Sequence, residues 1–176
     1  YDRLVRRDGQ PMAQETYVAL RRAGWLVSPV VQGRMDGVRI VGIEPLTAPG
    51  GLGPVAPQEG ADITAFLAGD GQFFANAETA AQLPELNIII TPEAAPGTAV
   101  TDIGVAQRLL GKQGQIDSLI VLPSQTIGRT DLAMIASNLR LQPAQGGSDI
   151  GRLTDSFHLN LTAFSMLSFA ISIFFV

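Results

Sequence analysis

Hydrophobic positions change their spacing several times along the chain, and each change predicts a short element. The first helical pattern is "TYVALRRAG", residues 16–24. Tyr17 and Leu20 lie three positions apart and share a helical face, and Gly24 stands where helices commonly end. We therefore expect a short helix here.

The segment "WLVSPVVQGRMDGVRIVGIEP" contains two runs rich in β-branched residues, divided by Asp36 and Gly37. Asp-Gly supplies the positive φ angles of a tight hairpin turn, so the pattern predicts a β-hairpin. Proline cannot donate a ladder hydrogen bond. We therefore expect the first strand to lie at a sheet edge or to begin after Pro29.

Residues 45–60, "PLTAPGGLGPVAPQEG", are rich in Pro and Gly and show no periodicity, which predicts a long surface loop. Binding residues favour loops held on a rigid scaffold, so this loop and the hairpin beside it are the predicted outward contact surface. Beyond the loop the pattern predicts a helix ending at Leu67, a turn at Asp70-Gly71, a brief apolar strand and a helix capped by Asn76. The run "LNIIIT", residues 86–91, predicts a buried strand.

The segment "AVTDIGVAQRLLGKQGQIDSLIVLP", residues 99–123, has the pattern of a strand, a helix and a second strand. Asp102 is the candidate N-cap, and Gly111 stands just past the helix end. The predicted apolar face of this helix consists of Ile103, Ala106, Leu109 and Leu110.

A last helix is predicted over residues 131–138, followed by a short strand and a polar hinge. Short strands broken by loops, without regular strand-helix alternation, favour an α+β fold with a mixed, mostly antiparallel sheet and a few helices. We assign residues 1–155 to this domain.

Residues 156–176 form a separate segment, predicted to begin a transmembrane helix. The last twenty residues, "FHLNLTAFSMLSFAISIFFV", contain no Asp, Glu, Lys or Arg, and about 20 apolar residues span a bilayer. The predicted membrane-embedded side chains are Phe164, Leu167, Phe169, Ile171, Ile173 and Phe174. Small hydroxylated residues recur at helical spacing and predict a helix-packing stripe. They are Thr162, Ser165, Ser168 and Ser172.

Composition excludes several kinds of chemistry. A net charge of −4 and a pI near 4.9 argue against a nucleic-acid partner, because such binding needs clustered Lys and Arg. The chain has no Cys, and its one His, His158, stands at the start of the apolar tail. We therefore expect no catalytic residues, no metal site and no cofactor.

Three segments in this order resemble the FtsX/MacB-like family of ABC transporter permeases. They are "SPVVQGRMDGVRIVGIEPL", "TDIGVAQRLLGKQGQIDSLIV" and "RLTDSFHLNLTAFSMLSFAISIFFV", which together span most of residues 27–176. The resemblance implies a non-catalytic domain on the extracytoplasmic side of the inner membrane, between the first and second transmembrane helices. Such a domain would relay ATP-driven motion for export or release of a lipoprotein, drug or peptide, or control an outer partner.

The same resemblance implies the partners: a cytoplasmic ATP-binding subunit or domain, membrane lipid, and a periplasmic protein or lipid-linked substrate, with a homodimer left open. Two alternatives remain. One is an extracytoplasmic sensor domain of a membrane signalling protein, which would continue into a cytoplasmic module. The other is a soluble hydrolase whose final helix is buried in its own core.

Overall fold

A computed structural model of the chain describes residues 1–49, 71–92 and 94–144. The strands of this part are β1 (Arg3–Arg6), β2 (Met12–Ala13), β3 (Val27–Met35), β4 (Val38–Ile43), β5 (Phe73–Ala75), β6 (Ile88–Ile90), β7 (Thr98–Asp102), β8 (Gln115–Ile116), β9 (Ser118–Val121) and β10 (Leu139–Gln142). The helices are α1 (Gln14–Arg22), α2 (Ala77–Ala81), α3 (Ile103–Leu109) and α4 (Leu132–Ile135).

Eight of these strands form one sheet in the order β10-β1-β9-β3-β4-β7-β5-β6, and β2 pairs with β8 in a small second sheet. The pairs β4–β7 and β5–β6 are parallel, whereas the other described pairs are antiparallel. The prediction of an α+β domain with a mixed, mostly antiparallel sheet is confirmed.

The hairpin is confirmed, but its first strand is not at an edge. Asp36 and Gly37 have φ angles of 50° and 82°, which are the left-handed values that the turn requires. β3 begins before Pro29 and lies between β9 and β4, so the prediction about Pro29 is wrong. Pro29 is tolerated there because the pairing with β4 starts only at Val30, and Pro29 itself pairs with β9 alone.

The predicted helix ends agree with the structure. The Asn76 side chain accepts a hydrogen bond from the Thr79 N–H at 2.8 Å, and Asp102 accepts one from the Gly104 N–H at 2.8 Å. Gly24 and Gly111 follow α1 and α3 with φ angles of 89° and 66°. The last helix is shorter than predicted: α4 covers Leu132–Ile135, whereas the prediction was residues 131–138.

α1 and α3 pack on the same face of the large sheet. Leu20 of α1 joins a buried cluster with Leu4, Val27 and Leu119, and α3 covers Ile40 and its neighbours. The side chains of α3 that are buried are those of Val105 and Ala106. Leu109 is 37% exposed, so its assignment to the apolar face is wrong.

The opposite face of the sheet carries a third buried cluster: Val30, Val41, Ile43, Val100 and Ile120. Tyr1 and Ala48 are partly buried and pack against it. Strand residues two apart share a face, so the register extends this face to Arg3, Ser118 and Arg140.

β6 corrects another expectation, since it is the last strand of the sheet rather than a buried one. It pairs only with β5, and Ile90 is 56% exposed. The triple isoleucine run resembles a buried strand because periodicity reports apolar content and cannot report whether a second neighbour pairs with it.

No helix within residues 1–49, 71–92 and 94–144 is both long and apolar enough to span a membrane. The predicted transmembrane segment 156–176, the polar hinge from residue 145, the helix ending at Leu67 and most of the loop at 45–60 lie outside the described residues. The same holds for the boundary after residue 155.

Candidate functional site

The two ends of the described chain meet at one end of the large sheet. β1 and β10 are antiparallel neighbours, with Arg3 opposite Gln142. Asp2 ties them together, because its side-chain Oδ1 accepts a hydrogen bond from the Ala144 N–H at 3.1 Å. The start of β1 and the end of β10 therefore lie side by side, and we call this position the entry end of the sheet.

The two parts of the predicted contact surface lie at opposite ends of β4. The turn at Asp36-Gly37 follows the Met35–Val38 pair, while Ile43 pairs with Val30 five residues further along β4. At about 3.3 Å per residue, the start of the loop at Pro45 is roughly 17 Å or more from the turn. The loop starts at the entry end, so the described residues do not bring the loop and the turn together.

A hydrogen-bonded group holds the start of that loop. Glu44 Oε2 accepts hydrogen bonds from the Tyr17 hydroxyl at 2.7 Å and from the Thr47 hydroxyl at 2.6 Å. Burial raises the pKa of Tyr17, and the neighbouring Glu44 carboxylate raises it further because phenolate would face a second negative charge. The group links α1 to the end of β4.

This raised pKa predicts how stability depends on alkaline pH. The phenol binds its proton more tightly in the folded chain, so its contribution is present below the unfolded pKa of about 10 and is lost as the pH rises above it. Above pH 10, we expect the denaturation midpoint of Tyr17→Phe to fall less steeply with pH than that of the original chain. Glu44→Gln should reduce the same slope in part, and equal slopes for all three chains would contradict the assignment.

A cleft of about 340 Å³ opens beside the entry end, along β1, β9 and β10. The polar groups of its lining are mostly basic side chains and amides. They include Arg3, Arg6, Gln32, Asp117, Arg140 and Gln142. Pro143 and Ala144, the last residues that the structure describes, also line it.

Two of the charges in the cleft are neutralised. Arg6 pairs with Asp8, whose pKa is held below its usual range by a hydrogen bond from the Gln10 N–H and by Arg6. Asp117 accepts two hydrogen bonds from Lys112 Nζ, at 2.9 and 3.0 Å. The cleft's acidic side chain is therefore already compensated by a cation.

Arg3 and Arg140 remain without a carboxylate partner within the described residues. Burial lowers the pKa of Arg3, and the positive charge of Arg39 lowers it further. Both effects arise because a half-buried guanidinium is poorly hydrated and faces a like charge.

Ser118 lines the same cleft, and its buried hydroxyl has no partner among the described residues. The residue is 3% exposed, and its Oγ has no hydrogen-bond partner in the described structure. A buried hydroxyl without a hydrogen bond costs free energy, so such a group is a candidate ligand contact. Among the described residues, the cleft thus combines two cations without an ion-pair partner with one hydroxyl without a hydrogen bond.

Sequence reasoning did not identify this cleft. Arg3 and Arg140 stand at opposite ends of the described chain. Arg140 lies on the short strand predicted after residue 138, whereas no element was predicted at Arg3, which the structure places in β1. All ten predicted membrane-embedded and helix-packing residues lie outside the described residues. Among the residues that are described, no group of three or more His, Cys, Asp or Glu side chains could hold a metal ion.

Compared with known protein families and with curated proteins, the chain matches none of them.

Proposed function

We propose that this chain is the extracytoplasmic domain of an ABC transporter permease of the FtsX/MacB-like type. The domain is non-catalytic and stands between two transmembrane helices of the inner membrane. It relays ATP-driven motion from the membrane to an outer partner or a substrate such as a lipoprotein, drug or peptide.

The observation that supports the proposal is that the first and last described segments lie side by side. A domain inserted between two membrane helices must leave the bilayer and return to it within a short distance. The antiparallel pair β1–β10 and the hydrogen bond from Ala144 to Asp2 meet this requirement. The apolar segment 157–176 follows the second end in the sequence, as the returning helix should.

We infer from this arrangement how the domain would face the membrane. The entry end faces the bilayer, and the hairpin turn at Asp36-Gly37 lies at the far end of the sheet. β3 and β4 connect the two ends through the centre of the sheet. A motion of the membrane helices would therefore reach the turn through paired backbone rather than through a loop.

Single-cysteine labelling tests the topology, and the absence of native cysteine makes the background clean. In the full-length gene product, Arg22→Cys places a thiol on an exposed position of α1, and Phe169→Cys places one in the predicted membrane segment. A membrane-impermeant maleimide should label Arg22→Cys in intact cells and leave Phe169→Cys unlabelled. Labelling of Arg22→Cys only after lysis would place the domain on the other side and contradict the proposal.

Purification of the full-length protein in mild detergent separates a permease from a sensor. A permease should contain an ATP-binding domain or retain an ATP-binding subunit. ATPase activity should therefore co-purify with the protein. A cytoplasmic signalling module in place of that ATPase would overturn the transport proposal.

A further inference from the structure

The cleft along β1, β9 and β10 carries positive charge that the described residues do not neutralise. In the register of β1 and β10, Arg3 lies opposite Gln142 and Val5 lies opposite Arg140. Arg3 and Arg140 are therefore diagonal neighbours on one sheet face, and such residues lie about 7–8 Å apart. Two long side chains at this spacing can converge on one ligand.

The two arginines lack a neighbouring group among the described residues that would neutralise their charge. Arg3 is half-buried and Arg140 is exposed, and neither forms an ion pair with a carboxylate of the described residues. Asp117, the acidic residue of the described lining, accepts hydrogen bonds from Lys112 and from the Gln32 N–H, the latter at 2.7 Å. Asp117 is therefore not a partner for the arginines.

We propose that this cleft is a binding site for a phosphate group, held by the guanidinium groups of Arg3 and Arg140 and by the hydroxyl of Ser118. The inference rests on these residues alone and does not depend on the transporter proposal.

Phosphate fits the site better than a carboxylate. A phosphomonoester carries a charge of about −1.5 to −2 at neutral pH, which matches two uncompensated arginines, whereas a carboxylate carries one. Guanidinium groups bind phosphate oxygens through two parallel N–H···O hydrogen bonds. A phosphate bound by both arginines has a further oxygen left for the Ser118 hydroxyl, which has no other partner in the described residues.

Two sources could supply this phosphate group. Tyr1, Pro143 and Ala144 line the cleft, so it reaches the entry end of the sheet. A lipid phosphate would reach the cleft from a bilayer at that end, and a free phosphate ester would reach it from solution. The chemistry at the arginines is the same in both cases.

The test measures phosphate binding to the full chain in an uncharged detergent. Inorganic phosphate is titrated against the chain, with potassium chloride of equal ionic strength as the reference. We expect saturable binding, a Kd raised at least about tenfold by Arg140→Gln and by Arg3→Gln, and a Kd raised about three- to tenfold by Ser118→Ala.

Arg22→Gln is the matched control, because it removes the same charge from an exposed position of α1 and should leave the Kd unchanged. Arg140 is exposed, so Arg140→Gln keeps the test valid even if Arg3→Gln fails to fold. The proposal is overturned by phosphate binding no stronger than the chloride reference, or by binding that Arg140→Gln leaves unchanged.

Dihexanoyl phosphatidic acid, titrated in the same way, identifies the source. A Kd at least tenfold below that of inorganic phosphate, and equally sensitive to Arg140→Gln, supports a lipid phosphate. Similar affinities for the two probes support a free phosphate group. Binding of the lipid that is insensitive to Arg140→Gln places the lipid elsewhere and counts against this cleft.

Discussion

Gly42→Ala should lower the free energy of unfolding by about 2–3 kcal/mol, because the sheet and α3 leave no room for a side chain at this position. A Cβ atom on Gly42 would lie 2.4 Å from the Ala106 Cβ and 3.1 Å from the Ile103 Cα. Neither atom can move without shifting the helix backbone. Urea unfolding of the full chain in mild detergent measures the loss.

Gly33→Ala is the matched control on the neighbouring strand β3. Its new Cβ would meet the end of the Leu110 side chain at 2.8 Å, which can rotate away, so we expect a loss below about 1 kcal/mol. The double variant Gly42→Ala/Ala106→Gly should recover part of the stability, because it removes the closest clash. Equal losses at the two glycines would show that α3 is not packed as closely as described.

Asp117→Ala should cost about 2–3 kcal/mol, the second large effect. The carboxylate accepts a hydrogen bond from the Gln32 N–H at 2.7 Å and two from Lys112 Nζ. Lys112 Nζ also donates to the Gln32 carbonyl at 2.6 Å, so the pair connects the loop after α3 to β3 and β9. The Lys112 and Asp117 side chains are 26% and 16% exposed, which leaves little water to replace the lost partner.

Asp117→Asn should lose about half as much, since the amide oxygen can still accept from the Gln32 N–H. Asp8→Ala is the second control. Its pair with Arg6 is exposed, and exposed pairs contribute little, so its unfolding midpoint should stay close to that of the original chain. A loss for Asp8→Ala as large as that for Asp117→Ala would contradict the role given to burial.

The phosphate proposal and the stability predictions are separable. Arg140→Gln removes an exposed charge and should leave the unfolding midpoint nearly unchanged while it weakens phosphate binding. Gly42→Ala should lower the midpoint without a direct effect on the cleft, because Gly42 lies on strand β4, away from β1 and β10. The two sets of variants therefore test the cleft and the core independently.

Local features of the sequence determined the parts of the fold that depend on a few neighbouring residues. Asp36-Gly37 specifies a hairpin turn because both residues tolerate positive φ. Asn76 and Asp102 specify helix starts because their side chains accept hydrogen bonds from N–H groups within the first turn. These interactions span two or three residues, so the chain order already contains them.

Only the tertiary structure decided which strands pair and which side chains therefore meet. Pro29 stands inside the sheet because β4 ends one residue short of it, and β6 is an edge because no further described strand pairs with it. Arg3 and Arg140 share a cleft because the first and last described strands are neighbours. Strand pairing between distant segments depends on the packing of the whole sheet. For that reason the pattern along the chain predicted elements such as the hairpin and α3 but not β1, and the tertiary structure placed the site.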